Sequence, residues 1–321
     1  MRKLLLLVSA IYLFAGCYTH QSSQAEDFFK KGLIEDSLKE YKQALGDYSM
    51  AIEMDPNYAV AYDNRAFDKE HLKKYQSAIL DCTKALSLDS NDASAYNNRA
   101  FAEDELKEYE EALKDYDRAI QLDPRSAEEY NNRGNLEEEL GKFQDALKDI
   151  KEAISLDSNY NYAYTSSSLV KDDIGDYPGA IKDAQKAIEL DSTNPTAYNN
   201  LAAAENDLKN FSAAIEYCRK GLNADSTYAS LYDIMGLAYD YLGKYEEALQ
   251  YHNKSIQLDS TDETAYYNRG ITEEDLSDID KACRDLYKAK ELGYPNAQSA
   301  IDEYCNVTSK KKKKAHKHKL D

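Results

Sequence analysis

An all-α fold of stacked helical hairpins is what this sequence predicts, and three observations predict it. The first is composition: 321 residues hold only 12 Gly and 5 Pro, no Trp, and 31% charged side chains. That balance leaves little material for the tight turns of a sheet-rich fold and favours helix. The second is a period of 34 residues that runs without insertion or deletion through eight copies. The third is apolar spacing of three and four within each copy, the pattern of a helix with one buried stripe.

Along the chain, the first residues read as an address and not as part of the fold. Arg2 and Lys3 precede an apolar stretch, Leu4 to Ala15, broken only by Ser9 and Tyr12. This run is well short of the roughly 20 residues needed to cross a bilayer as a helix. A basic start, a short apolar run and small closing residues make a secretory signal. The run ends Leu13-Phe14-Ala15-Gly16-Cys17, which resembles the lipobox of bacterial lipoproteins. The resemblance implies a signal peptide over 1–16, cleavage before Cys17, lipid on that residue and a linker over 17–24. Phe14 stands where the family has Leu, and the alternative is an ordinary secretory signal with an incidental cysteine. Acyl chains at about 0.8 kcal/mol per buried methylene would hold such a protein on a membrane essentially permanently.

The body then repeats. Ala recurs at 44, 78, 112, 146, 180, 214, 248 and 282, and a second small residue follows seven later at Ala51, Ala85, Ala119, Ala153, Ala187, Gly221, Ser255 and Ala289. Tyr recurs from 62 to 266 and Asp from 55 to 259 at the same interval. Each copy reads as two helices. In the third, Tyr96, Ala100 and Phe101 share a stripe and Leu106 closes the first helix; Tyr109, Ala112, Leu113, Tyr116, Ala119 and Ile120 make the second. Gly141, Gly175 and Gly243 fall at one register of the turn between them, where a left-handed residue ends a helix. Pro178 falls at a helix start, where its missing N–H is harmless. Asp55-Pro56, Asp89-Ser90 and Asp123-Pro124 mark exits to the next copy.

These residues together resemble the tetratricopeptide repeat. The resemblance covers 25–296 as eight units: 25–58, 59–92, 93–126, 127–160, 161–194, 195–228, 229–262 and 263–296. Its small residue late in the first helix is matched by Gly32, Ala66, Ala100, Gly134, Ser168, Ala202, Gly236 and Gly270. Residues 297–306 read as a capping helix. The resemblance implies a right-handed superhelical solenoid whose concave groove is lined mainly by the first helices, continuous in its hydrophobic layer.

Departures from the family pattern carry the specific information. Where the family often has Tyr, as at Tyr239, most copies place Glu35, Glu103, Glu137, Glu205 or Glu273, and four of these stand four residues after Lys31, Arg99, Arg133 and Arg269. That spacing predicts ion pairs along a helix surface, worth about 0.2–0.5 kcal/mol each. The next two positions add Asp104, Glu105, Glu138, Glu139, Asp172, Asp173, Asp207, Asp240, Glu274 and Asp275, which the family places in the groove. Two readings stand: an acidic trough for a basic, extended segment, or a solvated face that keeps the protein soluble. The Asn of Tyr-x-Asn, at Asn64, Asn98, Asn132, Asn200 and Asn268, either bonds a ligand's backbone amides or caps structure within the repeat. Phe67 and Phe101 complete the candidate groove. Asp63, Asn97 and Asn131, with Val60 and Ser94, occupy the positions where family members that grip a chaperone's carboxylates carry Lys and Arg, so that clamp is absent.

The remaining chemistry is sparse. Cys82 and Cys218 share a helix register with Tyr48 and Tyr116 and read as core fillers, whereas Cys283 and Cys305 stand close enough to pair in an oxidising compartment. His20, His71 and His252 read as isolated, with no metal-ligand neighbour one turn away. No phosphate-cradling glycine loop, His-Glu-x-x-His or nucleophile elbow occurs. The expectation is no catalytic residue, no metal and no cofactor. Net charge is −19; residues 1–16 carry +2 and 310–321 carry +6, so 17–309 carries −27, which disfavours nucleic-acid binding. The tail over 307–321, with Lys310, Lys311, Lys312, Lys313 and Lys314, is low-complexity and expected to be disordered. It has three readings: a hold on anionic lipid or envelope phosphate, a fold-back onto the acidic body, or a soluble end.

The functional expectation is a lipid-anchored protein-interaction scaffold of a bacterial cell envelope, exported to the periplasmic side or the outer membrane, binding a partner's basic or extended segment in its groove. No small-molecule substrate is expected. The alternatives are a structural or adaptor subunit acting through its convex face or cap, and a non-catalytic accessory to an envelope enzyme.

Overall fold

The computed structural model describes residues 23–306; the signal segment, Cys17 and the Lys310–Lys314 run lie outside the described residues. Eight helical hairpins follow one another: α1 (23–37) with α2 (Tyr41–Met54), α3 (Ala59–His71) with α4 (Tyr75–Leu88), α5 (Ala93–Glu105) with α6 (Tyr109–Leu122), and α7 (Ala127–Glu139) with α8 (Phe143–Leu156). Then come α9 (Asn161–Asp173) with α10 (Tyr177–Leu190), α11 (Pro195–Asp207) with α12 (Phe211–Ala224), α13 (Ala229–Tyr241) with α14 (Tyr245–Leu258), and α15 (Glu263–Asp275) with α16 (Ile279–Leu292). A last helix, α17 (Ala297–Ala300), continues into a π-helical turn, Ile301–Cys305. There is no strand among the described residues. From α2 onward, helix starts recur every 34 residues in both series, as the sequence period requires.

The chain forms two compact units, divided after Ser158. Within each, a first helix packs on its own second helix, the second helix packs on the next first helix, and neighbouring first helices touch directly (α3 with α5, α5 with α7; α9 with α11, α11 with α13, α13 with α15). Each unit is thus a helical-hairpin solenoid with a face made of first helices. The Ala column from Ala44 to Ala282 is fully buried in all eight copies, because only a methyl group lets two helix backbones approach closely. Larger side chains fill the spaces between hairpins: Ala100, Ala112 and Tyr116 of one copy cluster with Leu136 of the next. No hairpin hides its own apolar side alone.

Two turns repeat with the helices. Each first helix ends in a residue with positive φ: Lys39, Lys73, Lys107, Gly141, Gly175, Lys209, Gly243 and Ser277. The following N–H reaches back to a helix carbonyl, as in Lys142 to Glu137 at 2.8 Å and Glu108 to Glu103 at 2.8 Å, closing the helix end. Gly141 adopts φ +70° without strain; an alanine there is expected to lower stability by about 1 kcal/mol, read as a shift in the urea midpoint at unchanged slope. At the other turn the recurrent Asp accepts the N–H two residues on, as Asp55 does from Asn57 (3.0 Å) and Asp225 from Thr227 (2.8 Å). At the C-terminus, Cys283 of α16 and Cys305 are joined by a disulfide, beside a cluster of Leu286, Ala300 and Ile301.

Candidate partner-binding face

The first helices carry the residues that the sequence singles out, and the structure separates those that hold the stack together from those that face outward. The basic column belongs to the stack. Arg65, Arg99, Arg133 and Arg269 each aim a guanidinium fork across the hairpin at an Asp of the second helix: Arg65 at Asp81 (2.7 and 2.8 Å), Arg133 at Asp149 (2.6 and 2.9 Å), with Arg99–Asp115 and Arg269–Asp285 alike. The remaining nitrogen reaches the preceding second helix, at Ser49, Thr83, Asp117 and Asn253 respectively. Each fork therefore ties three helices. The expected ion pairs along one helix form in two copies, Lys31–Glu35 at 3.4 Å and Arg99–Glu103 at 3.9 Å. The main partner of each arginine is nevertheless the Asp across the hairpin, because the planar fork matches a carboxylate facing it far better than one on its own helix. Burial, then the nearby Asp115, Asp149 or Asp285, pushes Glu103, Glu137 and Glu273 up to about 7, against the opposing pull of their arginines.

The sequence held a signal for these clamps. Asp recurs at 47, 81, 115, 149, 183 and 285; copies six and seven, which have Leu201 and Met235 in place of the base, have Tyr217 and Tyr251 in place of the Asp. Copy five has Ser167 and recruits Lys171 to the same Asp183.

The Asn column bridges neighbouring first helices. Asn98 donates to Asp63 (2.9 Å), Asn132 to Asn97 (3.1 Å), Asn200 to the Thr165 carbonyl (3.1 Å) and Asn268 to Asp233 (2.8 Å). Asn64 donates to the Val60 carbonyl of its own helix, at 2.8 Å. Four of these five amide donors are thus engaged between repeats, and Asn98 and Asn200 are buried.

The acidic column does face outward in part. Glu105, Glu139, Asp173, Asp207 and Asp275 are exposed, and Asp104, Glu138, Asp172 and Glu274 are half-buried beside them. Their charges meet across the stack. Burial, then Glu139 of the next first helix, α7, pushes Asp104 up to about 6; burial, then Asp207 of α11, does the same to Asp172. Burial also raises Asp207, Asp275 and Glu274. Tyr109 donates to Glu139 at 2.6 Å. Phe101 is exposed and lies edge-on to Tyr75, while Phe67 is half-buried with its ring edge-on to His71, which stacks on Tyr41 at 4.2 Å. Each unit thus presents carboxylates on its first helices, and in the first unit aromatic side chains lie on the same helices.

His252 is not isolated. It is fully buried, with Nδ1 at 2.6 Å from Asp233 and Nε2 at 3.0 Å from Asp240. Burial alone would lower its pKa, but the two hydrogen bonds and carboxylate charges outweigh that and raise it to about 9. The ring is an imidazolium at neutral pH. Cys82 and Cys218 are buried thiols pushed up by burial. Among the described residues no His, Cys, Asp and Glu group has metal-binding geometry, and no helix is long and apolar enough to cross a membrane.

Profiles described as tetratricopeptide repeat match residues 93–126, 127–160 and 196–223, and one described as TPR repeat matches 173–205 and 236–274. Among solved structures, the chain is similar to the APC/C hetero-tetramer Cut9-Hcn1 at 14% identity and a TM-score of 0.69, over 83% of this chain and 52% of that one. It is similar to a tetratricopeptide repeat protein from Parabacteroides merdae at 19% identity and a TM-score of 0.62, over 78% of this chain and 99% of that one. Yeast Tom70 is similar at 16% identity and a TM-score of 0.59, over 90% and 65%. The chain spans about half the length of the first of these and less than two thirds of the last. Identities this low carry the fold alone. No curated protein matches the sequence.

Proposed function

We propose that this chain of tetratricopeptide repeats is a non-catalytic protein-interaction scaffold, exported and lipid-anchored in a bacterial cell envelope, that holds a partner segment on its first-helix face. Tetratricopeptide repeats mediate protein–protein interaction, and the fold is typically without catalytic activity. The observation that carries the reading is the division of labour among the first helices. Their Arg and Asn columns are engaged in the stack, whereas Phe101, Glu105 and Glu139 in the first unit, and Asp173, Asp207 and Asp275 in the second, remain exposed. Within either unit the exposed carboxylates, joined in the first by Phe101, offer negative charge to a basic, extended segment. The corresponding test places a photo-crosslinking side chain at Phe101 and, as a control, at exposed Leu80 of the second-helix face, in cells. A defined adduct at Phe101 and none at Leu80 supports the reading. The reverse pattern would move the interaction to the other face, as the adaptor alternative requires.

Export is supported by two separate features: the lipobox-like run ending at Cys17, and the Cys283–Cys305 disulfide, a bond typical of oxidising compartments. Cys17→Ala is expected to abolish incorporation of an alkyne-tagged fatty acid and to release the protein from the membrane fraction. Retention of label in that variant would remove the anchor at Cys17.

A further inference from the structure

We infer that the basic tail of this chain, Lys310 to Lys319, docks on the acidic first-helix face of the unit it follows, along Glu274, Asp275, Asp207 and Asp173. The docking stands on charge, exit point and reach; only its consequence for a basic partner rests on the function proposed above.

The charges are complementary. The tail carries seven lysines and one aspartate over 310–321. Asp173, Asp207 and Asp275 are exposed at one register of α9, α11 and α15, and none is in a salt bridge among the described residues. Beneath the row lie buried acceptors, Asp172 Oδ1, Asn206 Oδ1 and Asp240 Oδ1, without a hydrogen-bond partner, although Asn206 donates to the Ile234 carbonyl and Asp240 is bonded through its other oxygen to His252 and Thr272. An ammonium group brings three donors and no acceptor.

The exit point is at the end of this row. Tyr304 packs against the same cluster as Tyr267 and Ile271 of α15, which seats the last helix; burial, then Glu303 and Glu274, raises the pKa of its hydroxyl. The last described residue, Asn306, is two positions further on. The reach is sufficient. Extended chain covers about 3.3–3.6 Å per residue, so residues 307–319 span about 45 Å. Contacting helices lie about 8–10 Å apart, which puts α9 about 30 Å from α15. Each ammonium–carboxylate contact in water is weak and salt-screened. Several on one tether act at a millimolar effective concentration, and they make the tail a competitor for any basic segment at the same face.

Zero-length carbodiimide coupling of the full chain, followed by peptide mass spectrometry, tests the docking. Amide links from Lys310–Lys319 to Glu274, Asp275, Asp207 or Asp173 are expected at low ionic strength, independent of protein concentration and suppressed at high salt. Links to carboxylates elsewhere, or links that appear only as the protein is concentrated, would overturn it. So would loss of the links on adding phosphatidylglycerol vesicles, which would assign the tail to a lipid surface. A labelled decalysine probe reads the consequence: replacing the seven tail lysines by alanine, which changes no described residue, is expected to tighten probe binding ~3–10-fold. Coupling to the row with a probe that binds neither form would keep the docking and remove the basic-partner function.

Discussion

Replacing His252 with leucine is expected to destabilise the 159–306 unit by about 3–5 kcal/mol. The imidazolium sits on α14 and bonds two carboxylates of α13, Asp233 and Asp240. Those carboxylates in turn accept from α15, Asp233 from Asn268 at 2.8 Å and Asp240 from Thr272 at 2.6 Å. One buried cation therefore holds three helices and two repeats. Leucine fills the space but leaves the buried Asp233 and the part-buried Asp240 without their cation, which is the costly half of a broken ion pair. The backbone opposite is fitted to the ring, since a Cβ on Gly236 would lie 2.6 Å from His252 Cε1. Urea unfolding of the variant, with amide exchange in α13–α15, measures the effect. A cost below about 1 kcal/mol would put this residue among ordinary surface substitutions and refute its role as a tie.

The same group predicts a pH dependence with a definite sign. Its pKa is about 9 in the folded chain and about 6.5 when unfolded, so the folded state binds the proton more tightly. The stabilisation is complete below pH 6.5 and fades as pH rises through 9. Two and a half units correspond to roughly 3 kcal/mol. The parent should lose that stability between pH 7 and 10 while the leucine variant shows a flatter profile over the same range.

The helix starts, the buried alanine columns and the left-handed turn at Gly141 are legible in the 34-residue period. Period alone could not show which polar columns face one another. Residues that touch across this stack are 16, 35 or 19 apart in sequence, as in Arg133–Asp149, Asn98–Asp63 and His252–Asp233, and a helix wheel compares only neighbours three and four apart. So spacing pairs Arg133 with Glu137 on its own helix, and it leaves the Asn column open between a ligand's backbone and a bond within the repeat. His252 read as isolated because its two carboxylates stand on the preceding helix. The outward carboxylates follow instead from the resemblance, which implies that these positions face the groove; their own spacing would not separate them, since Glu105, Glu139 and Asp173 stand three residues after the buried Ala102, Leu136 and Val170.

The paired columns lead to the second large effect. Asp149→Ala is expected to cost about 2–4 kcal/mol, because Asp149 is 5% exposed at its side chain and the Arg133 fork loses both its short bonds there. Copy six shows how the same hairpin closes without charge: Leu201 and Tyr217 stand at the two positions, and Glu205 is kept where Glu137 stands in copy four. Transplanting that solution as Arg133→Leu with Asp149→Tyr removes both charges together and supplies apolar area in their place. The double variant should return to within about 1 kcal/mol of the parent, so that the two positions couple by roughly 1.5 kcal/mol or more. Equal and additive losses in the double variant would mean that the fork's third contact, to Asp117 at 2.6 Å, and not the hairpin clamp, is what the arginine contributes. Asp117 is on the preceding repeat, so Arg133→Leu alone would then loosen the junction of α6 with α7 and α8 while leaving the fourth hairpin itself intact, a distinction that amide exchange resolves helix by helix.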